Sequence, residues 1–337
     1  MEGTITKAVP VDRDGLRRSG AASSGIGGHC RYLRGMELLR LDHPLDEIGP
    51  DAVLVVALDG WTDAGDGGSA AAGRLREAFT PVPLGRFPSD ALFDYRDRRP
   101  ALSIDRGVLG DPDWPEITIE LLSPPSGPPL ILVCGAEPDL AWQGFANDLA
   151  ELCAKVGAGR YVGLGSVPGP IPHTRPVHII ATSSDTELLD RIGRPHEEMV
   201  VPASCQVALE TVLRDAGLDT LGLWVRIPHY VAGEYPEAAR ALLEQLSSHI
   251  GTPVDLSSFD EDVAENRARL DVAAEGSDEV REHVAQLERL YDAEAEAERL
   301  ATASGSSPSS PAITEEQVPS ADDLAAEIER FLQGRND

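Results

Sequence analysis

Lysine is nearly missing from this chain. Of 29 basic residues only Lys7 and Lys155 are lysines, and the rest are arginines. That shortage all but excludes Schiff-base chemistry and a lysine phosphate clamp, and no GxxxxGK[ST] loop is present. Positive charge as a whole is scarce. The 57 acidic residues leave a formal charge of −28 over 337 residues. This argues against general nucleic-acid binding, because phosphate contacts need clustered Lys or Arg. It argues equally against docking on an anionic membrane surface. Aromatic residues are few, at 5%, so the core must be built from Ala, Val, Leu and Ile. No apolar run approaches the roughly 18 residues of a membrane span. The four cysteines, Cys30, Cys134, Cys153 and Cys205, show no CxxC spacing, which suggests neither a zinc site nor a redox pair. Cys134 and Cys153 stand in apolar runs and read as buried thiols. A cytoplasmic, reduced protein without metal or cofactor is expected.

What is present divides the chain into unlike parts. Residues 1–35 have no hydrophobic period, carry GLRRSGAASSGIGG and lack a signal-peptide apolar region. They read as a disordered leader, with Met36 an alternative start. From Val53 the pattern changes. Val53–Leu58 (VLVVAL) is the all-apolar run of a strand buried on both faces. Ile117–Leu122, Leu130–Cys134, Tyr161–Leu164, Val177–Ala181 and Leu221–Ile227 are further strands. Helices are predicted over Gly67–Phe79, Asp139–Val156, Ala203–Ala216 and Pro236–Leu246, the last with Pro in its first turn. Strands alternating with helices mean an α/β domain with a largely parallel sheet, over 36–255. Residues 255–337 hold 22 acids and 7 bases, more than half of the net charge. They read as a helical appendage over 256–300, a low-complexity linker over 301–320, and an amphipathic helix over 321–334. That last helix carries Leu324, Ile328, Phe331 and Leu332 at helical spacing, as a partner-docking segment or a fold-back helix would.

Each apolar strand ends in a compact polar motif. The five are DGWTDAG (59–65), GAEPD (135–139) followed by Trp142, VP (167–168) leading to PHTRP (172–176), TSS (182–184), and PHY (228–230). Ligands of open α/β sheets bind at the carboxyl ends of the strands. The pattern therefore predicts one crevice there, with Asp59, Gly60, Trp61, Asp63, Glu137, Trp142, His173, Thr174, Arg175, Ser183, His229 and Tyr230 as candidates. The alternative is that these turns only connect elements. Asp63 or Asp66 suits a helix N-cap, and three nearby carboxylates would repel a phosphate. The island Tyr95–Pro100 (YRDRRP) adds Arg96 and Arg99, which could hold an anion bidentately or neutralise the crevice aspartates. His173 and His229 each follow a proline, so each is either an acid–base group or a ring fixed in a rigid turn. Ser183 with His173 and an Asp makes a triad on paper, but no G-x-S-x-G elbow accompanies it. No third His or paired acid completes metal-ligand spacing.

DGWTDAG, YRDRRP, CGAEPDLAW, VPGPIPHTRP and IPHY, in this order, resemble the actinobacterial branch of the proteasome-assembly-chaperone family, chaperone 2 type. The resemblance covers about Met36 to Tyr291. It implies a three-layer α/β/α domain similar to purine nucleoside phosphorylases, followed by helices, in a homo- or hetero-oligomer, and a homo-oligomer, trimer or dimer, is expected here. The eukaryotic relatives assist proteasome α-ring assembly, whereas the role of the actinobacterial members is undefined. Some archaeal relatives engage the proteasome through a C-terminal hydrophobic–Tyr–any-residue tail. This chain ends Arg335-Asn336-Asp337 and does not match it.

Two functional readings follow. The first is a non-catalytic, oligomeric assembly factor or scaffold, contacting itself and another protein through its C-terminal helices. The second is a small-ligand binder or an enzyme of nucleoside phosphorylase or hydrolase type. In it Asp59 or Asp63 would hold sugar hydroxyls or act as base, Glu137 would assist, His173 would move protons, and Arg175 or Arg99 would bind an anion.

Overall fold

The apolar run VLVVAL forms the middle of a sheet. In the computed structural model, β1 (Arg40–Leu41) is followed by β2 (Val53–Asp59), in which all six residues of the run are buried. The structure describes residues 36–304 except 47, 50 and 194–199. The expected leader over 1–35, the linker beyond residue 304 and the terminal helix with Leu324, Ile328, Phe331 and Leu332 lie outside the described residues. After β2 come α1 (Gly67–Ala78), β3 (Val82–Phe87), α2 (Ser89–Leu92), and a small hairpin of β4 (Ile104–Asp105) and β5 (Val108–Leu109). Then follow β6 (Ile117–Leu122), β7 (Leu130–Ala136), α3 (Trp142–Val156), β8 (Arg160–Gly169), β9 (His178–Ser183) and α4 (Thr186–Ile192). The chain continues through α5 (Cys205–Asp215), β10 (Asp219–Pro228), α6 (Pro236–Ile250), α7 (Phe259–Glu275) and α8 (Asp278–Ser304).

Eight strands pair in the order β1-β3-β6-β7-β2-β8-β10-β9. The central four, β7, β2, β8 and β10, are parallel. The flanks are antiparallel: β6 to β7, β3 to β6, β1 to β3, and β9 to β10. The seven-residue SPPSGPP link makes β6–β7 antiparallel, because a parallel crossover needs a dozen residues or so. Side-chain alternation along β2 then builds three layers. Leu54, Val56 and Leu58 meet Phe145, Leu149 and Leu152 of α3 and Leu209 of α5 on one face. Val53, Val55 and Ala57 meet Ala71, Ala72 and Leu75 of α1 and Ala238, Leu242 and Leu246 of α6 on the other. Each such fully buried aliphatic side chain contributes about 1.5–3 kcal/mol.

The small residues of α1 have a packing reason. A Cβ on Gly67 would lie 2.7 Å from Ser166 Oγ and 3.0 Å from the Ala238 Cβ, and one on Gly68 would lie 2.8 Å from the Leu164 carbonyl oxygen. The helix therefore rests directly on β8. Beyond α6, helix α7 adds Phe259 and Leu270 to the α1/α6 face. Val280, Val284 and Leu287 of α8 close a third cluster with Ala273 of α7 and Tyr230.

Candidate functional site

Tyr230 organises the half of the strand-end region that follows β8 and β10. Its hydroxyl accepts the His173 backbone N–H (2.8 Å) and bonds the His173 Nδ1 (2.7 Å). His173 is 2% exposed, and its Nε2 lies 3.2 Å from Asp271 Oδ1 of α7. Burial lowers the His173 pKa, and the opposing pull of Asp271 is smaller. Burial likewise pushes the Tyr230 phenol up. His229 is anchored twice on the Gly169 carbonyl, through its backbone N–H (3.1 Å) and its Nδ1 (3.1 Å). Its Nε2 faces His283 Nε2 of α8 at 3.3 Å.

The rest of PHTRP is held by the same two helices. Thr174 donates its hydroxyl to Glu288 (2.6 Å), and its carbonyl accepts from Arg267 (2.6 Å). Arg175 grips Asp292 through two parallel bonds of 2.9 Å and reaches Glu288 at 3.0 Å. The carboxylates hold the Arg175 pKa above the usual arginine range, and the guanidinium holds Asp292 below the usual aspartate range. Acidic residues of the tail here neutralise a strand-end arginine.

The β2/β7 half is organised around Glu137. Its Oε2 accepts the Trp61 N–H (3.0 Å) and its Oε1 the N–H of Cys205 (2.7 Å), in the first turn of α5. Ser204 caps that helix through its own hydroxyl, which accepts the Val207 N–H. Gly60 has φ 152°, and a Cβ there would sit 2.9 Å from the Glu137 Cβ, so the carboxylate reaches Trp61 because residue 60 lacks a side chain. Asp63 is buried, and its Oδ1 takes the N–H of Gly68 (2.5 Å) in the first turn of α1. Burial raises its pKa against the lowering effect of Ser69 and Gly68. Asp66 occupies the formal N-cap position with φ 57° and no side-chain bond. Of the two expected caps, Asp63 performs the task. Asp59 and Trp61 are exposed, Trp61 to 68%. Trp142 donates its indole N–H to the Pro138 carbonyl.

Other candidates are positioned apart. Ser183 does not join His173. Because β9 is antiparallel, Ser183 pairs with Leu221 at the opposite edge of the sheet from Pro228, about 23 Å away at ~3.3 Å per residue. Its hydroxyl donates to the Thr220 carbonyl (2.6 Å). Arg96 folds back on Asp94, two residues earlier (2.7 Å). Asp94 in turn gives its N–H to Asp139 (2.8 Å), so YRDRRP packs on the GAEPD turn. Arg99 is exposed. Beside this segment lies an open groove of about 620 Å³ whose lining includes Arg86, Asp90, Tyr95, Asp113, Trp114 and Glu116. Its carboxylates outnumber its single arginine, which disfavours an anion. The segment that carries the β4–β5 hairpin exposes Leu102 (44%), Ile104 (64%), Val108 (71%) and Leu109 (67%). Among the described residues no group of three or more His, Cys, Asp or Glu could hold a metal ion, and no helix is long and apolar enough to cross a membrane.

A sequence model of the PAC2 family matches residues 57–274, from the last apolar residues of β2 to the last turn of α7. The chain belongs to the PAC2 family. The resemblance carried by DGWTDAG, YRDRRP, CGAEPDLAW, VPGPIPHTRP and IPHY is thereby confirmed. Solved structures of similar proteins agree. A Mycobacterium tuberculosis protein of unknown function is 32% identical, with 86% of this chain and 96% of that chain covered and a TM-score of 0.73. A Corynebacterium glutamicum protein of unknown function is 30% identical, covering 77% and 98%, with a TM-score of 0.72. A Mycobacterium tuberculosis proteasome-assembly chaperone homologue is 26% identical, covering 69% and 99%, with a TM-score of 0.65. No curated protein matches the chain. The PAC2 match stops before α8, so His283, Glu288 and Asp292 lie beyond it. These residues, with Arg267 and Asp271, were missed from sequence. The available signal was His283 standing inside the apolar stripe Val280–Leu287.

Proposed function

We propose that this PAC2 protein is a non-catalytic assembly factor or scaffold that self-associates, as a trimer or dimer, and binds another protein. One observation carries the reading: apart from the exposed Asp59, the charged and imidazole side chains that the strand-end motifs bring together are already bonded within the chain. His173, Thr174 and Arg175 are engaged by α7 and α8, and Glu137 by the Trp61 and Cys205 amides. A general acid or an anion clamp needs such groups free to face a substrate. The chaperone-type role draws on the Mycobacterium tuberculosis relative described as a proteasome-assembly chaperone homologue. In this reading residues 36–255 form the sheet domain, whose likeness to purine nucleoside phosphorylases is one of fold alone. Residues 256–300 are the appendage that covers its strand ends, and the protein works in the cytoplasm.

The β4–β5 hairpin is the proposed contact with a second copy. A chain of −28 repels its own kind, yet residues 101–110 carry one Asp and one Arg and so no net charge. Their exposed apolar side chains offer a patch where copies meet with least repulsion. Light scattering on the full chain should give a multiple of the 36.0 kDa monomer mass, reduced by the double substitution Ile104→Asp and Leu109→Asp. A native-lysate pull-down should return partners that depend on residues 301–337. Thermal-shift screening against nucleosides, phosphates and sugars should give no stabilisation up to millimolar concentration. A stabilising nucleoside would favour the enzyme reading instead.

A further inference from the structure

Three imidazoles converge where α7 and α8 cover the strand ends, and hydrogen bonding fixes the state of each. The Gly169 carbonyl can only accept, so His229 Nδ1 carries its proton and donates to it. The bare Nε2 of His229 then accepts the Nε2–H of His283 across 3.3 Å. This leaves His283 Nδ1 bare and buried, with no hydrogen-bond partner among the described residues. On the other side of Tyr230, the phenol accepts the His173 backbone N–H and gives its own proton to His173 Nδ1, while Nε2–H points to Asp271. The four rings pack edge to face, with centroids 5.3–6.2 Å apart. Two imidazoles alone make an incomplete metal-ligand set, and among the described residues no third ligand joins them.

We propose that these imidazoles form a proton-operated latch, which holds α8 on the strand ends at neutral pH and releases it in mild acid. A proton added to His229 Nε2 removes the acceptor that His283 needs and sets two N–H groups against each other. A proton added to His283 Nδ1 creates a buried cation with no acceptor. A proton added to His173 Nδ1 turns an N–H toward the phenol proton of Tyr230. The charged groups facing this cluster pull both ways. Asp271 of α7 and Glu288 of α8 favour a charged His173, whereas Arg267 of α7 opposes it. Burial outweighs the carboxylates at His173, and burial together with His229 lowers the pKa of His283. The docked form therefore binds fewer protons than the released form. Docking is at full strength above the ordinary histidine pKa of about 6.5 and weakens as pH falls below it. Each proton taken up on release multiplies the opening constant by up to about ten per pH unit. The latch holds apolar surface shut, because Val280, Val284 and Leu287 leave Tyr230 and Ala273 when α8 lifts.

Hydrogen exchange on the full chain, compared at pH 7.5 and 5.5 after correction for intrinsic rates, tests this without any substitution. The expected result is at least a tenfold gain in exchange for amides of 278–291, with those of α3 and α6 unchanged, reversed on return to pH 7.5. In His283→Phe, which cannot titrate, the gain should shrink several-fold. Unchanged protection of α8 at pH 5.5 would overturn the proposal. So would simultaneous loss in α3 and α6, which marks global acid unfolding, or an identical pH response in His283→Phe.

Discussion

Removing the Glu137 carboxylate separates a structural from a catalytic reading of the residue most central to the strand-end motifs. Its oxygens accept two backbone amides from different parts of the chain, Trp61 at 3.0 Å and Cys205 at 2.7 Å. The Cys205 bond is partly buried and charge-assisted, so it is worth about 1.5–2 kcal/mol. The Trp61 bond lies at an exposed position and adds about 0.5 kcal/mol. A carboxylate at the first turn of α5 also meets the positive end of the helix, for roughly another 0.5 kcal/mol. Glu137→Ala should therefore lose about 2.5–3 kcal/mol, and Glu137→Gln, which keeps one acceptor oxygen, about half of that. In urea titrations the midpoint should fall with little change in slope. For a domain of this size, Tm should drop by about 2–4 °C per kcal/mol. A Glu137→Gln protein as stable as the parent would refute the clamp and return this carboxylate to the list of groups free for chemistry.

Tyr230→Phe leaves the buried His173 amide without its acceptor, and should cost about 1–3 kcal/mol in the same titration while raising exchange in α8. Gly165→Ala forces a Cβ to within 2.5 Å of Trp224 Cζ3 and 3.0 Å of the Thr62 carbonyl. About 1–3 kcal/mol of overpacking is expected, read as a lower Tm. In Arg175→Ala, the Asp292 carboxyl should titrate nearer the ordinary aspartate value, because the guanidinium is the main cause of its lowered pKa. Carbon-detected NMR measures this, and an unmoved Asp292 would show that the crossed helix contact does not form in solution.

The central strands were legible because burial on both faces leaves a continuous apolar run, as in Val53–Leu58 and Leu130–Cys134. The long helices α3, α5 and α6 were legible from their period. The strand β3 was not, since VPLGRF carries a proline and a glycine, and it pairs through a register shift between Pro83 and Gly85. The short helix α4 has too few turns to show a period. For the candidate site, the motifs that end β2, β7, β8 and β10 lie at one end of the parallel strands, but their cover by α7 and α8 was not legible. Composition marks α7 and α8 as acidic, yet it cannot tell a carboxylate in water from one closing on Arg175. Ser183 was assigned to the wrong edge because a strand's direction is set by its partner's register, which no local pattern records.

The position of β2 at the middle of the sheet has a consequence during synthesis. Val53 pairs with Leu130 on one side and Arg160 on the other, so neither neighbour exists when VLVVAL leaves the ribosome. At ~5–20 residues per second the second neighbour arrives several seconds later. In that interval the run VLVVAL is a bare, uncharged sticky segment. A nascent chain halted before β8 should depend on a trigger-factor-like holdase, and one halted after β10 should not.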